Sequence, residues 1–112
     1  MAEMLDLESL ASPAASRDEI VARLRRHEQE IRDHGVTGLF LFGSALRNEL
    51  RPDSDVDVYV EYDPDGDLDY FGLCRLERFL GQVVQRQIDL TTRDGLHPVL
   101  RDGIVRSSLR VV

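Results

Sequence analysis

One cysteine in 112 residues, Cys74, excludes an internal disulfide framework and a zinc site built on cysteine ligands. No apolar run approaches the ~18 residues of a membrane-spanning helix, because charges interrupt every hydrophobic stretch. The opening residues, MAEMLDLESLASPAAS, lack the Lys or Arg of a secretory signal and carry Glu3, Asp6 and Glu8 instead. These absences lead to an expectation of a cytoplasmic protein that does not engage a membrane. A basic surplus is missing too: 14 Lys and Arg stand against 21 Asp and Glu, for a net charge of −7. Gripping a phosphate backbone needs a basic face, so no direct nucleic-acid binding is expected. What is present, 42% hydrophobic and 31% charged residues, is ordinary for a globular chain, and the length suits one domain with a modest core.

Along the chain, residues 1–15 read as a flexible N-terminal leader and 16–112 as the folded domain. Ser16-Arg17-Asp18-Glu19 fits a capping box, and Ile20, Val21, Leu24 and Ile31 follow near-helical spacing to a stop at Gly35. A helix over about 17–33 is predicted. Val36 to Phe42 is an almost wholly apolar run suited to a buried strand, and Ala45 to Leu50 allows one or two helical turns before Pro52. Val56, Val58 and Val60 alternate with Asp55, Asp57, Tyr59 and Glu61, which puts valines on one face of a strand and acids on the other. A loop at 63–67 precedes a helix through Leu68, Phe71, Leu76, Phe79 and Leu80 that Gly81 is expected to end. Val83 to Thr92 reads as a third strand and residues 96–108 as a short helix. The final four residues are too short to assign. The order implies an α/β (α+β) single domain, a small mixed sheet with helices packed on it.

An acidic stretch runs from Asp53 to Asp69 without a Lys or Arg. Most of it reads as a solvated face. Asp55 and Asp57 differ, because two residues apart on a strand they point the same way, with Cα atoms about 6.5–7 Å apart. Two such carboxylates repel unless a cation sits between them, and magnesium, which takes carboxylates together with substrate phosphates, suits that place. Asp89, alternating with Ile88 and Leu90, faces away from the core side and is the candidate third acid. The three could hold one or two ions of a phosphoryl-transfer site. Gly43-Ser44, at the end of the apolar run, lets the backbone turn tightly, so that N–H groups and the Ser44 hydroxyl can meet phosphate oxygens. Arg47, one turn further on, could reach the same phosphates.

Gly-Ser, ten residues, then Asp-x-Asp is also a family signature, and with it the chain resembles the nucleotidyltransferases of the polymerase-β-like superfamily. The likeness is greatest to the minimal nucleotidyltransferase (MNT) group and runs from about Glu19 to Val112, through LFLFGS, RPDSDVDVYVEYDP, LCRLERFLG and QIDLTT. The resemblance implies that Gly43 and Ser44 bind the phosphates of ATP and that Asp55 and Asp57 ligate two Mg²⁺ ions. Asp89 is then the third carboxylate, as base or ligand. It further implies a partner, a HEPN-domain toxin, which the MNT protein, an antitoxin of the MntA type, would neutralise in a type VII-like toxin–antitoxin pair. The means would be transfer of AMP from ATP onto a toxin tyrosine, or binding. Many relatives have Arg directly after Gly-Ser and Gly after the second Arg; here Ala45 and Asn48 stand there, while Arg47 is kept.

Other readings are weaker. A calcium loop starting at Asp63 would need Gly where Leu68 stands and an acid where Cys74 stands. His27, His34 and His97 form no ligand pattern and read as surface or boundary residues, and Cys74 reads as a small buried hydrophobe. Tyr59 shares the aspartate face and reads as packing more than as a platform for a base. Arg101, Arg106 and Arg110 read as the solvated side of the last helix or as contacts to a partner. Two alternatives to the adenylylating antitoxin are a binding-only antitoxin of the same fold and a transferase acting on a small molecule. An oligomer is left open.

Overall fold

Ser16 caps the first helix as its spacing predicts, accepting a hydrogen bond from the Glu19 N–H at 3.2 Å. In this computed structural model, which describes residues 12–112, helix α1 spans Arg17–Arg26 and a separate α2 spans Glu28–Asp33. The expected single helix is broken at His27, whose N–H turns back to Leu24 O at 3.0 Å, a tightened i−3 closure. The His27 ring bonds Glu30 Oε1 at 2.7 Å and packs edge-on against Phe79. Gly35, at φ +100°, ends α2 where predicted.

Strand β1 (Val36–Phe42) leads into a single turn, α3 (Gly43–Leu46), and then strand β2 (Val56–Tyr62). Asp69 opens α4 (Tyr70–Val84), its carboxylate accepting the Gly72 N–H at 2.8 Å. Strand β3 (Ile88–Thr92), helix α5 (Arg101–Ser107) and a two-residue strand β4 (Leu109–Arg110) complete the chain. The sheet order is β3-β2-β1-β4. β1 runs antiparallel to β2 and β4, and β2 runs parallel to β3, so the sheet is mixed as expected.

Leu39, Leu41, Val56, Val58 and Val60 project to one face and form a continuous core with Ile20 and Leu24 of α1, Ile31 of α2 and Leu76, Leu80, Val83 and Val84 of α4. Burial of each large aliphatic side chain contributes about 1.5–3 kcal/mol before entropy is counted. The other face carries Phe40, Asp57, Tyr59 and Asp89, the alternate residues of the same strands. The chain reaches β4 by passing this face, where Ser108 Oγ and Tyr59 Oη share a 2.9 Å hydrogen bond.

Several boundaries move. Gly81 lies inside α4, not at its end: a Cβ there would stand 3.3 Å from Arg86 O, so the glycine admits the returning chain. Val83 and Val84, expected in a strand, are the buried last turn of α4, which ends when Gln85 adopts the left-handed conformation at φ 55°. The helix expected over 96–108 starts only at Arg101, and the unassigned C-terminus supplies β4. Most of the expected leader lies outside the described residues. Its end is packed: Ala14 is buried and its N–H bonds Val84 O at 2.9 Å. At the sheet's β3 edge, Glu77 Oε1 of α4 accepts the Leu90 N–H at 3.3 Å. Among the described residues no helix is long and apolar enough to cross a membrane.

A left-handed glutamine is a local cost that glycine avoids. Gln85→Gly is expected to raise unfolding free energy by about 0.5–1 kcal/mol, read from the urea midpoint at unchanged m-value.

Candidate active site

The antiparallel register sets Phe42 opposite Asp57, and the chain turns at the next residue. Gly43 has φ +74°, and a Cβ there would collide with Asp57 Oδ2. The glycine is thus required twice, for its backbone conformation and for the carboxylate lying against it. Helix α3 begins at Gly43, and the first N–H groups of a helix have no acceptor of their own, so its opening donors lie at the corner Asp57 occupies. Ser44 follows, half-buried.

On the other side of β2, the parallel register pairs Asp57 with Asp89. Registered neighbours share a face, so the two carboxylates stand side by side, with Asp55 just before β2 begins. Asp55 and Asp89 are exposed and Asp57 is half-buried. Burial raises the Asp57 carboxyl above its usual range, and the charges of Asp89 and then Asp55 raise it further, while Arg47 opposes them. The structure therefore brings together all the residues singled out in the sequence: Gly43, Ser44, Arg47, Asp55, Asp57 and Asp89. Among the described residues, however, no three acid, histidine or cysteine side chains are drawn in closely enough to form a closed metal cage. The donors still fit magnesium: they are carboxylate oxygens from adjacent strand ends, and their mutual repulsion is what a hard divalent cation relieves.

The two unusual positions of the loop after β1 have structural accounts. Ala45 is fully buried, so this backbone has no room for an arginine there. Asn48 has φ 57°, the left-handed region that glycine serves in many relatives and asparagine tolerates. Its Oδ1 accepts the Arg17 N–H at 3.1 Å, tying the loop to the start of α1. Sequence reasoning missed Glu49, which holds Arg47 Nε at 3.2 Å; both side chains are exposed, so the pair guides Arg47 more than it stabilises the fold.

Around the site, Tyr59 is 1% exposed and stacks on Phe40 with ring centroids 4.7 Å apart, so its role is packing. Arg110 lies on β4, not on the last helix, with its guanidinium over the Phe40 ring. His34 stacks on Phe79. Cys74 is only half-buried, contrary to expectation, because it sits on the α4 flank beside Glu77 and Arg78 at the lip of a surface cleft.

Residues 24–111 match the sequence profile of the family described as the nucleotidyltransferase domain. A provisionally named protein adenylyltransferase of Methanocaldococcus jannaschii is 35% identical over 70% of this chain and 83% of its own length. The protein adenylyltransferase MntA of Thermococcus cleftensis is 33% identical over 85% of this chain and 91% of its own. A solved structure provisionally described as a minimal nucleotidyltransferase superposes with a TM-score of 0.73 at 26% identity, covering 84% of this chain and 94% of that one. One chain in a complex described as a tri-AMPylated Shewanella oneidensis HEPN toxin with an MNT antitoxin has a TM-score of 0.55 at 20% identity. That match covers 79% of this chain and 68% of the other, and bears on the fold alone.

Two outcomes follow from this corner. Gly43→Ala is expected to lower stability by about 1–2 kcal/mol from the left-handed backbone alone, and to abolish activity by displacing Asp57. The second concerns pH. A carboxyl raised on folding favours the native state below its unfolded value, and that advantage is lost as pH rises through the folded value. In EDTA, the Tm of the wild type should therefore fall relative to Asp57→Asn as pH rises from about 4 towards neutrality. A wild type that gains on the variant over that range would contradict the charge arrangement.

Proposed function

This chain belongs to the nucleotidyltransferase domain family, and from that premise we propose that it is a magnesium-dependent protein adenylyltransferase, moving AMP from ATP to a tyrosine hydroxyl of a HEPN-domain toxin. The observation that carries the reading is the register of β2: it sets Asp57 beside Asp89 on one side and against Gly43 on the other. The adenylyltransferase names of two relatives more than 30% identical support protein AMP transfer, and the described HEPN–MNT complex supports the kind of partner.

In this reading Asp55, Asp57 and Asp89 would hold a pair of Mg²⁺ ions, which when bound neutralise phosphate charge and orient the reacting oxygens. Gly43 lets the triphosphate approach the backbone, and the opening N–H groups of α3 with the Ser44 hydroxyl bond its oxygens. Arg47, exposed at the rim and guided by Glu49, adds a cation to the same phosphates. The tyrosine oxygen forms a bond to the α-phosphorus as the bond to the departing pyrophosphate breaks, and pyrophosphate leaves with that electron pair. The phenolic proton passes to a carboxylate, for which Asp89 is suited by its exposure on the open side of the sheet. The protein acts in the cytoplasm as the antitoxin of the pair.

The test is incubation with labelled ATP, Mg²⁺ and the product of the neighbouring gene. Label is expected on a partner tyrosine, lost in Asp55→Asn and Asp57→Asn and slowed roughly 10²–10⁴-fold in Asp89→Asn. Neutralisation that persists in these variants without label would make the protein a binding-only antitoxin. Label appearing on an aminoglycoside-like acceptor with no partner protein would move the substrate to small molecules.

A further inference from the structure

Arg86 lies outside the acid corner and outside every motif read from the sequence. Its side chain touches no carboxylate of the ion pairs described, yet it donates to carbonyls of two distant segments. Nε donates to Ala14 O at 2.5 Å, and one terminal nitrogen donates to Arg51 O at 2.9 Å and to Ser54 O at 3.3 Å. The stretch Arg51–Ser54 is a turn closed on itself, with Ser54 N–H on Arg51 O at 3.0 Å and Arg51 N–H on Ser54 Oγ at 2.9 Å. Such a turn has a defined shape but no defined position. Among the described hydrogen bonds outside the strand ladders, those joining it to the rest of the molecule come from Arg86.

The next residue after this turn is Asp55, and the one after that starts the β2–β3 ladder, with Val56 N–H on Gln87 O at 2.9 Å. Arg86 itself sits just before β3, its backbone held against α4 where Gly81 leaves room. One guanidinium thus spans the entries of both strands that carry the acids. A planar fork with five donors meets carbonyls of two segments from fixed, well-separated directions, whereas an ammonium's three donors radiate from a single nitrogen.

We propose that Arg86 is a positioning residue: by holding the Arg51–Ser54 carbonyls from the foot of β3, it sets Asp55 and the start of β2 in line with Asp89. This rests on the proposed transferase reading for its kinetic consequence, though not for its structural one. Gly43 and Ser44 are placed by β1, so nucleotide binding should be little affected when Arg86 is removed, while turnover should suffer. Displacement of a reacting group by about 1 Å costs on the order of 10²-fold in rate.

The experiment compares Arg86→Ala and Arg86→Lys with Val21→Ala, a core change on α1, all assayed well below their melting temperatures. Expected for Arg86→Ala is a fall in kcat of about 10²-fold with KM for ATP changed little, partial recovery in Arg86→Lys, and near-normal kcat in Val21→Ala. Amide hydrogen exchange, read by mass spectrometry without acceptor or nucleotide, should show faster exchange in Arg86→Ala over residues 51–57 and in the segment around Ala14 that Nε also holds, and not in the rest of the core. Unchanged exchange there, or a general loosening equal to that of Val21→Ala, overturns the proposal. Should the wild type transfer nothing to any partner, the exchange result still decides it. Should Arg86→Ala fail to fold, the same comparison is made with Arg86→Lys: faster exchange over 51–57 than in wild type supports the proposal, and wild-type exchange overturns it.

Discussion

The pairing of β2 with both of its neighbours is the constraint on which this small domain depends. From one strand, the antiparallel ladder to β1 and the parallel ladder to β3 are fixed together, and a slip of one residue would turn Asp57 into the core and Val58 out of it. The buried valines of β2 therefore do more than close the core. They hold the register that brings a glycine turn and a second strand's aspartate to the same carboxylate, so packing on one face of the sheet dictates chemistry on the other.

That arrangement works against stability at the corner itself. Asp57 is partly withdrawn from water and flanked by Asp89 and Asp55, and Arg47 offsets only part of the repulsion. A fold selected for stability alone would not keep such a cluster; sites that bind cations and phosphates commonly do, because the missing charge arrives with the ligand. The surrounding bonds compensate locally. Asn48 ties the loop after β1 to α1, and Ala14 docks on the end of α4.

Much of this was legible in the residues because its signals are short-range. Alternation of Val and Asp sets the face of β2, the apolar run sets β1, and the capping Ser16 and the stop at Gly35 bracket the first helical segment. Gathering of the candidate residues was legible for a related reason: the three aspartates stand at the starts of β2 and β3, and Gly43, Ser44 and Arg47 follow the end of β1. The failures lie where tertiary packing overrides a local pattern. Gly81 looked like a helix stop, but the returning chain at Arg86 needs its missing side chain while α4 continues. Val83 and Val84 carry β-branched propensity, yet the core takes them as helix. At the break, His27 packs against Phe79, a residue far along the chain that no local pattern brings to it. Carbonyl-binding arginines such as Arg86 leave no sequence pattern at all, since any backbone can receive them.

The contact between Glu77 and the Leu90 N–H has a meaning beyond the domain's own geometry. β3 is an outer strand, and an outer strand's free amide is an invitation for a foreign strand to continue the sheet. Here a carboxylate from the covering helix already occupies that amide. A chain approaching edge-on would have to displace the carboxylate and lie beside a negative charge. At this edge of the sheet, the helix that covers the core also makes the outer strand a poorer template.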